Sequence, residues 1–333
     1  MLPVVAMLLA AVTARAQDGS NAYSFLEIPT SSHVMALGGG GIALIDDDVA
    51  LAQENPALIG AETDRQVALG YMRWFGSANF ASVRFGNSAG ERAGWAAGIR
   101  YLGYGDMTYT DADGTPGGTF SASDVVAEGT YSHDFTDRLR GGINLKMAYS
   151  HYEQYSAFAM GVDLGLSYYD DEKRLSLAVV MANAGGQLKR FNETHDRLPF
   201  DLKLGYMQGL GSTPFSLAIT ATHLTKWKLP YMSYNSQETE AAPEEKHGFA
   251  SDLFRHLIFG LQYAPSERFY AAIGYNYKTR TDMASYSRSF LSGWSAGIGL
   301  NVKAFRIGVA YAQPHRGGTS LMLNVAMNIG ELL

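Results

Sequence analysis

Two neighbouring stretches decide the fold: Arg138-Leu139-Arg140-Gly141-Gly142-Ile143-Asn144-Leu145-Lys146-Met147-Ala148-Tyr149 and Phe158-Ala159-Met160-Gly161-Val162-Asp163-Leu164-Gly165-Leu166-Ser167-Tyr168. In the first, Leu139, Gly141, Ile143, Leu145, Met147 and Tyr149 share one face, opposite Arg138, Arg140, Gly142, Asn144, Lys146 and Ala148. Such period-two alternation marks a strand whose two faces meet different surroundings. It recurs in Trp294-Ser295-Ala296-Gly297-Ile298, in Phe305-Arg306-Ile307-Gly308-Val309 and in the final stretch around Leu321, Leu323 and Val325. The second face is Gly, Ala, Ser and Asn with scattered Arg and Lys. That composition suits the interior of a barrel better than the water-facing side of a sandwich. The strands also reach roughly 10–13 residues, near what a tilted membrane-spanning strand needs and about twice a typical sandwich strand.

Working outward from these stretches, the pattern predicts an all-β, transmembrane antiparallel β-barrel of about fourteen strands. They fall near residues 66–74, 77–86, 92–104, 123–134, 138–151, 156–169, 174–185, 199–209, 214–227, 252–264, 268–280, 291–302, 305–313 and 319–329. The first, second, fourth and seventh alternate poorly. The connections alternate as well. Turns at Ser88–Gly90, Thr136-Asp137, Asp170–Glu172, Gly211–Thr213, Pro265–Glu267 and Lys303-Ala304 are short, whereas Gly105–Ala122, Gly186–Leu198, Lys228–Ser251 and Arg280–Phe290 are long. Short turns on the periplasmic side and long loops outside are the habit of outer-membrane barrels, which places both termini in the periplasm. Tyr149, Tyr275, Tyr277 and Tyr311 fall at expected outer strand ends, and Tyr168, Tyr206, Phe215, Phe269 and Phe305 at inner ends, as two aromatic girdles would.

Composition agrees. Of 333 residues, 37 are Gly, 20 Tyr and 16 Phe, only 17% are charged, and there is no cysteine. The absence of thiols excludes disulfides, thiolate metal sites and Cys nucleophiles, and it suits transit through an oxidising periplasm. A net charge of −6 without a basic block argues against nucleic acid as a partner. Residues 1–16 read as a signal peptide, with an apolar core from Val4 to Val12 and a small-x-small site at Ala14-Arg15-Ala16. No later apolar run approaches the ~20 residues of a membrane helix, so a membrane is crossed by strands or not at all.

Residues 17–64 form a separate segment before the barrel at 65–333. Gly38 to Gly41 permit unusual backbone geometry, and Asn55-Pro56 signals a turn. A fourteen-strand barrel is too wide for its own side chains to fill, so this Gly-rich segment is the expected plug.

Three motifs of this segment carry a family resemblance: Phe25-Leu26-Glu27-Ile28-Pro29 with Thr30-Ser31-Ser32; Leu37-Gly38-Gly39 running into Asp46, Asp47 and Asp48; and Asn55-Pro56-Ala57. They resemble the PorQ-like outer-membrane proteins of the type IX secretion system of Bacteroidetes, within a wider group that holds PorV and the FadL-type transporters. The motif block covers about forty residues, and the terminal Glu331-Leu332-Leu333 lacks the Phe that ends many barrels. The resemblance implies a membrane anchor that tethers a PorZ-like surface protein, together with the sortase PorU and with PorV, where cargo is joined to lipopolysaccharide. The alternative it leaves open is a FadL-like transporter of hydrophobic compounds. A cargo shuttle of the PorV kind is a third possibility, set aside on the N-terminal motifs alone.

The sequence points to no enzyme and no cofactor: HExxH is absent, the GxSxG matches at Gly86–Gly90 and Gly293–Gly297 fall in expected strands and a turn and open no helix, and Gly38–Gly41 lacks the Lys of a phosphate loop. Asp46–Asp48 lack the DxDxDG spacing of a calcium loop and are expected as an acidic plug turn. Inward-facing Arg92, Arg100, Arg138, Arg140, Lys146, Lys203, Lys303 and Arg306 are expected to pair with acidic plug residues such as Asp46–Asp48. The lumen faces of these strands hold few large apolar groups, which argues against a hydrophobe channel. Two outer loops are candidate partner surfaces: one with Trp227, Tyr231 and Tyr234 beside Glu238, Glu240, Glu244 and Glu245, the other with Lys189 and Arg190.

Overall fold

The computed structural model describes residues 23–74, 76–110, 113, 116–191, 195–229, 248–282, 291–315 and 318–332. The expected signal peptide, and Tyr231, Tyr234 and the four glutamates of that loop, lie outside the described residues.

Fourteen antiparallel strands close into one barrel, each bonded to its sequence neighbours and the first to the last. They are β1 (Gln66–Arg73), β2 (Asn79–Ser88), β3 (Ala93–Thr110), β4 (Pro116–Thr136), β5 (Leu139–Tyr152), β6 (Tyr155–Asp170) and β7 (Leu175–Lys189). There follow β8 (Asp201–Gly209), β9 (Phe215–Ala221), β10 (Leu257–Ser266), β11 (Phe269–Asn276), β12 (Trp294–Val302), β13 (Phe305–His315) and β14 (Gly318–Asn328). Closure runs from Gln66↔Asn328 to Arg73↔Leu321, which satisfies the edges an open sheet would leave unpaired. The alternation has the expected sense. Leu69, Ile99, Ile143, Leu145, Ile298 and Leu323 stand exposed on the outside, while Arg100, Asn144, Lys146 and Asn324 are buried inside. An apolar exterior over a polar interior is the inverse of a water-soluble barrel, and it is what hydrocarbon solvates.

Among the described residues three α-helices accompany the strands: α1 (Ser32–Ala36) inside the barrel, and α2 (Phe249–Arg255) and α3 (Tyr277–Asp282) at the long-loop rim. The rim is where the strand expectations needed correction. The strand expected over 214–227 ends at Ala221, because His223 turns to φ 57° and a loop follows. Residues 252–255, expected as strand, are the end of α2. Tyr277 to Arg280, also expected as strand, form α3, so Tyr277 is not a girdle residue of a strand. Conversely, β3 and β4 extend as a paired hairpin into the expected loop Gly105–Ala122, with register shifts near Gly103 and Tyr109. β7 likewise runs on to Lys189, so that residue sits on a strand and not in a loop.

The wall is uneven at this rim. β7 pairs with β8 only from Leu175↔Gln208 to Ala182↔Asp201. Beyond Ala182 it keeps β6 as its partner, with an irregularity opposite Val162–Leu164. β9 is the shortest strand, seven residues long. The barrel is therefore lowest from β8 to β9.

Candidate functional site: the plug and the outer cavity

Residues 23–64 thread the lumen and are bonded to the wall all round it. Ser32 N–H donates to Asn324 Oδ1 on β14 at 2.5 Å, Ser295 Oγ on β12 to the Ala36 carbonyl at 2.9 Å, and Ser132 Oγ on β4 to the Ile59 carbonyl at 2.6 Å. Thr220 on β9 also bonds the Gly40 carbonyl. Tyr23, Phe25, Leu26, Ile28, Val34, Met35 and Leu37 form an apolar core with Met72, Phe80, Leu102, Val126 and Met322 of the wall. This corrects the expectation of a lumen with few large apolar groups.

The motif residues have separable jobs. α1 ends in a Schellman turn, with Gly39 N–H bonded to the Val34 carbonyl at 3.0 Å and Gly38 N–H to Met35 at 3.1 Å. Both glycines sit at φ near +84° (85° and 83°), where a side chain would be strained. Asn55 is fully buried. Its Nδ2 donates to the Ile42 carbonyl and to Ser167 Oγ, both at 2.9 Å, and its Oδ1 accepts from Ala57 N–H at 2.9 Å. Pro56 lies so close to Gly142 on β5 that a side chain there would collide with it. Asn55→Ala should therefore loosen this turn by about 2–4 kcal/mol, since three bonds go and buried carbonyl and hydroxyl groups are orphaned. Faster amide exchange confined to residues 42–58 is the expected signature; uniform exchange across the barrel would contradict it.

Asp46 and Asp47 share Arg306, whereas Asp48 turns to a backbone amide. Asp46 accepts from His33 Nδ1 at 3.0 Å and from Arg306 Nη1 at 2.7 Å. Asp47 meets Arg306 Nη2 at 3.3 Å, and Asp48 caps the Ala50 amide at 2.9 Å. His33 stacks on Tyr270 with centroids 3.6 Å apart, and its Nε2 lies 3.0 Å from Gln262 Oε1. Pairing between wall cations and the plug thus holds for Arg306, and for Arg140, which binds Glu62. It does not hold for Lys146 or Arg100, which pair within the wall with Asp163 (2.7 Å) and Glu128 (2.7 Å). Arg138 pairs with Asp170 at 3.0 Å and Arg92 with Asp137 at 3.2 Å, both within the wall and its turns.

Burial and the neighbouring charge of Asp46 push the Asp48 carboxyl up to about 6. Burial acts on Asp46 too, but its bond to His33 and the charges of His33 and Arg306 outweigh it and hold that carboxyl below the usual range. A carboxyl whose pKa the fold raises adds stability while protonated and loses it as pH climbs through the raised value. Seating of the plug near Asp48 should therefore tighten on going from about pH 7 to about pH 5. Asp48→Asn keeps the cap and should flatten that slope, read from protease cleavage of the plug; an unchanged slope would assign it elsewhere.

At the long-loop end a cavity of about 290 Å³ lies between plug and wall. Pro29, Met35, Gly38 and Gly39 of the plug face Trp74, Ile258, Trp294 and Ala312 of the wall across it. Glu27, Asp201, Lys203, His223, Lys278 and Gln313 add polar groups. Asp201, Lys203, Thr222 and His223 come from the low β8–β9 section of the wall, so the cavity adjoins the uneven rim. Sequence reasoning singled out Pro29, Gly38 and Gly39 as plug residues and Lys203 as a lumen cation; it did not single out Trp74, just past β1, or Lys278 on α3, and it read Trp294 only as the start of a strand. The proposed partner residues are not gathered there. Lys189 bonds Ser156 Oγ at 2.6 Å on an exposed wall edge, beside Arg190. Trp227 stacks on Phe249 and His256 at 5.3 and 5.4 Å, on the outer rim.

No family model matches the chain, and no curated protein matches it by sequence. Solved structures do match by shape. The toluene transporter TbuX of Ralstonia pickettii superposes with a TM-score of 0.51 at 14% identity, over 90% of this chain and 96% of that one. A TodX monoaromatic hydrocarbon channel carrying the deltaS2S3 change gives 0.51 at 12% identity, over 90% and 99%. A FadL homologue of Pseudomonas aeruginosa gives 0.48 at 12%, over 90% and 98%. The closed fourteen-strand barrel thus shares its fold with the toluene transporter TbuX and the TodX channel.

Proposed function

We propose that this chain is an outer-membrane barrel that admits a small hydrophobic compound from the long-loop side, in the manner of FadL-type transporters. The cavity carries this reading. Its volume is near the lower bound of ligand pockets, and its walls combine two Trp, Met, Ile and Pro with a few polar groups, as such pockets do. It opens beside the low section of the wall and rests on the apolar core that joins plug and barrel. The shared fold with a toluene transporter and a hydrocarbon channel supports it further. The orientation follows, with long loops outside and both termini in the periplasm.

The test is direct binding. Purified barrel in detergent should bind toluene or a tritiated long-chain fatty acid saturably, and Ala312→Trp, which fills the cavity, should abolish this. No saturable binding in the parent would sink the transporter.

A second reading has its own support. Beneath the cavity the plug is bonded to several strands of the wall, which suits a static anchor of the type IX secretion complex. It would hold a PorZ-like surface protein, with PorU and PorV, near lipopolysaccharide. Crosslinking in intact cells followed by pull-down should then recover a β-rich surface partner and a sortase. Recovery of the barrel alone would leave transport.

A further inference from the structure

Helix α2 is inside out for water. Seven residues long, it exposes Phe249 (70%), Leu253 (36%) and Phe254 (45%), yet Arg255 is only 2% exposed. At 100° per residue, Phe249, Ala250, Leu253 and Phe254 fall within one arc, with Ser251, Asp252 and Arg255 on the opposite side. The polar side is turned to the protein: Arg255 Nη1 donates to the Leu229 carbonyl at 2.8 Å and Nη2 to Asp282 Oδ1 of α3 at 2.6 Å. Among the described residues only ring contacts at its margin, such as Trp227 on Phe249, touch the apolar side, and its three large side chains stay exposed.

We infer that α2 lies in the outer leaflet, with Phe249, Leu253 and Phe254 against lipid acyl chains, as a collar that widens the apolar belt at the β10–β11 rim. The occupant follows from continuity. The Phe254 ring stands 6.1 Å from Phe259 and 6.0 Å from Tyr277. Phe259 pairs with Tyr275 and Ile219 in the outward row of the barrel, above Leu261 and Tyr263. The exposed face of α2 thus prolongs a lipid-facing column. Trp227, half exposed and stacked on Phe249, sits where an aromatic belt meets headgroups. The buried Arg255–Asp282 pair then has a purpose: it fixes an amphipathic helix flat on the rim, polar side inward. The inference rests on the barrel's place in a bilayer and on neither functional reading.

The chain has no cysteine, so single-cysteine labels report cleanly. Nitroxides at Phe249→Cys and Leu253→Cys would be read in phosphatidylcholine–phosphatidylglycerol vesicles. Collisions with oxygen, which enters lipid, are compared with those of a water-soluble nickel chelate. Leu145→Cys serves as the belt reference and Asp137→Cys as the turn reference. The expected result is an oxygen-to-nickel ratio at both α2 sites shifted from the turn value to the belt value. A turn-like ratio at 249 and 253, with Leu145 still belt-like, would overturn the collar while leaving the bilayer placement intact. Protection from both reagents would overturn it too, by showing the face covered by protein, residues 230–247 being the adjacent stretch of chain. A turn-like ratio at Leu145 as well would instead remove the barrel from the bilayer.

Discussion

Glu128→Leu should cost the barrel about 3–5 kcal/mol, because it strands two buried guanidinium groups. Glu128 is fully enclosed between Arg84 and Arg100, whose side chains are almost as buried. Arg100 Nη2 donates to Glu128 Oε1 at 2.7 Å, and Arg84 binds the other oxygen. Arg84 also reaches Thr130 at 3.4 Å, Thr130 bonds Asn144 at 2.8 Å, and Asn144 bonds Asp163 at 3.0 Å. Asp163 holds Lys146, which bonds Asn183 at 2.9 Å. A polar chain thus crosses six consecutive strands, β2 to β7, on the lumen side. Removing its one carboxylate among the arginines deletes the attraction and keeps the desolvation cost. Replacing all three partners together (Arg84→Met, Arg100→Met, Glu128→Leu) removes both and should recover most of the loss. Urea unfolding in lysolipid micelles, followed by tryptophan fluorescence, measures each variant. A Glu128→Leu protein within about 1 kcal/mol of the parent would mean that water reaches the triad.

That triad also shows how far the sequence could be read. Arg100 was legible as an inward-facing residue, but Arg84 and Glu128 lie on the poorly alternating second and fourth strands and were not singled out, and the mutual pairing of the three was not legible. It depends on register across three strands, and period-two patterns carry no register. The poorly alternating strands have a physical cause. On β1, β2 and β4 the inward positions include Met72, Phe80 and Val126, which pack on the plug's Phe25, Leu26 and Leu37. Where the filling is apolar, both faces of the wall are apolar and the contrast fades. The clean strands, β5 and β6, face Asn55 and Pro56, whose needs are polar or steric. Helix α2 was missed because the strand expected over 252–264 begins inside it. Asp252-Leu253-Phe254-Arg255-His256 does not alternate, and the helical spacing of Phe249 and Leu253 lies across that boundary. The cavity was least legible, since Trp74, Lys278 and Trp294 come from ends of elements far apart in sequence.

Locking the plug to the wall should separate the two functions with an all-or-none effect. A Cβ built on Gly308 of β13 would lie 3.6 Å from Ser32 Cβ at the start of α1. A disulfide needs roughly 3.5–4.5 Å between those atoms, so Ser32→Cys with Gly308→Cys should oxidise without moving either backbone. The natural chain has no cysteine to compete. α1 carries Met35 and leads into Gly38 and Gly39, the plug side of the cavity, so the bond pins the floor on which a ligand would rest. A hydrophobe that enters there would have to displace this floor to pass on through the lumen. Oxidised protein should accordingly lose uptake of toluene in vesicles, and reductant should restore it, while binding in the cavity survives in both states. An anchor has no moving plug, and the oxidised form would then capture its surface partner as well as the reduced form does. Equal uptake by oxidised and reduced protein would refute passage through a displaced plug, and it would direct attention to the wall between β7 and β8, where strand pairing stops at Ala182 and Asp201.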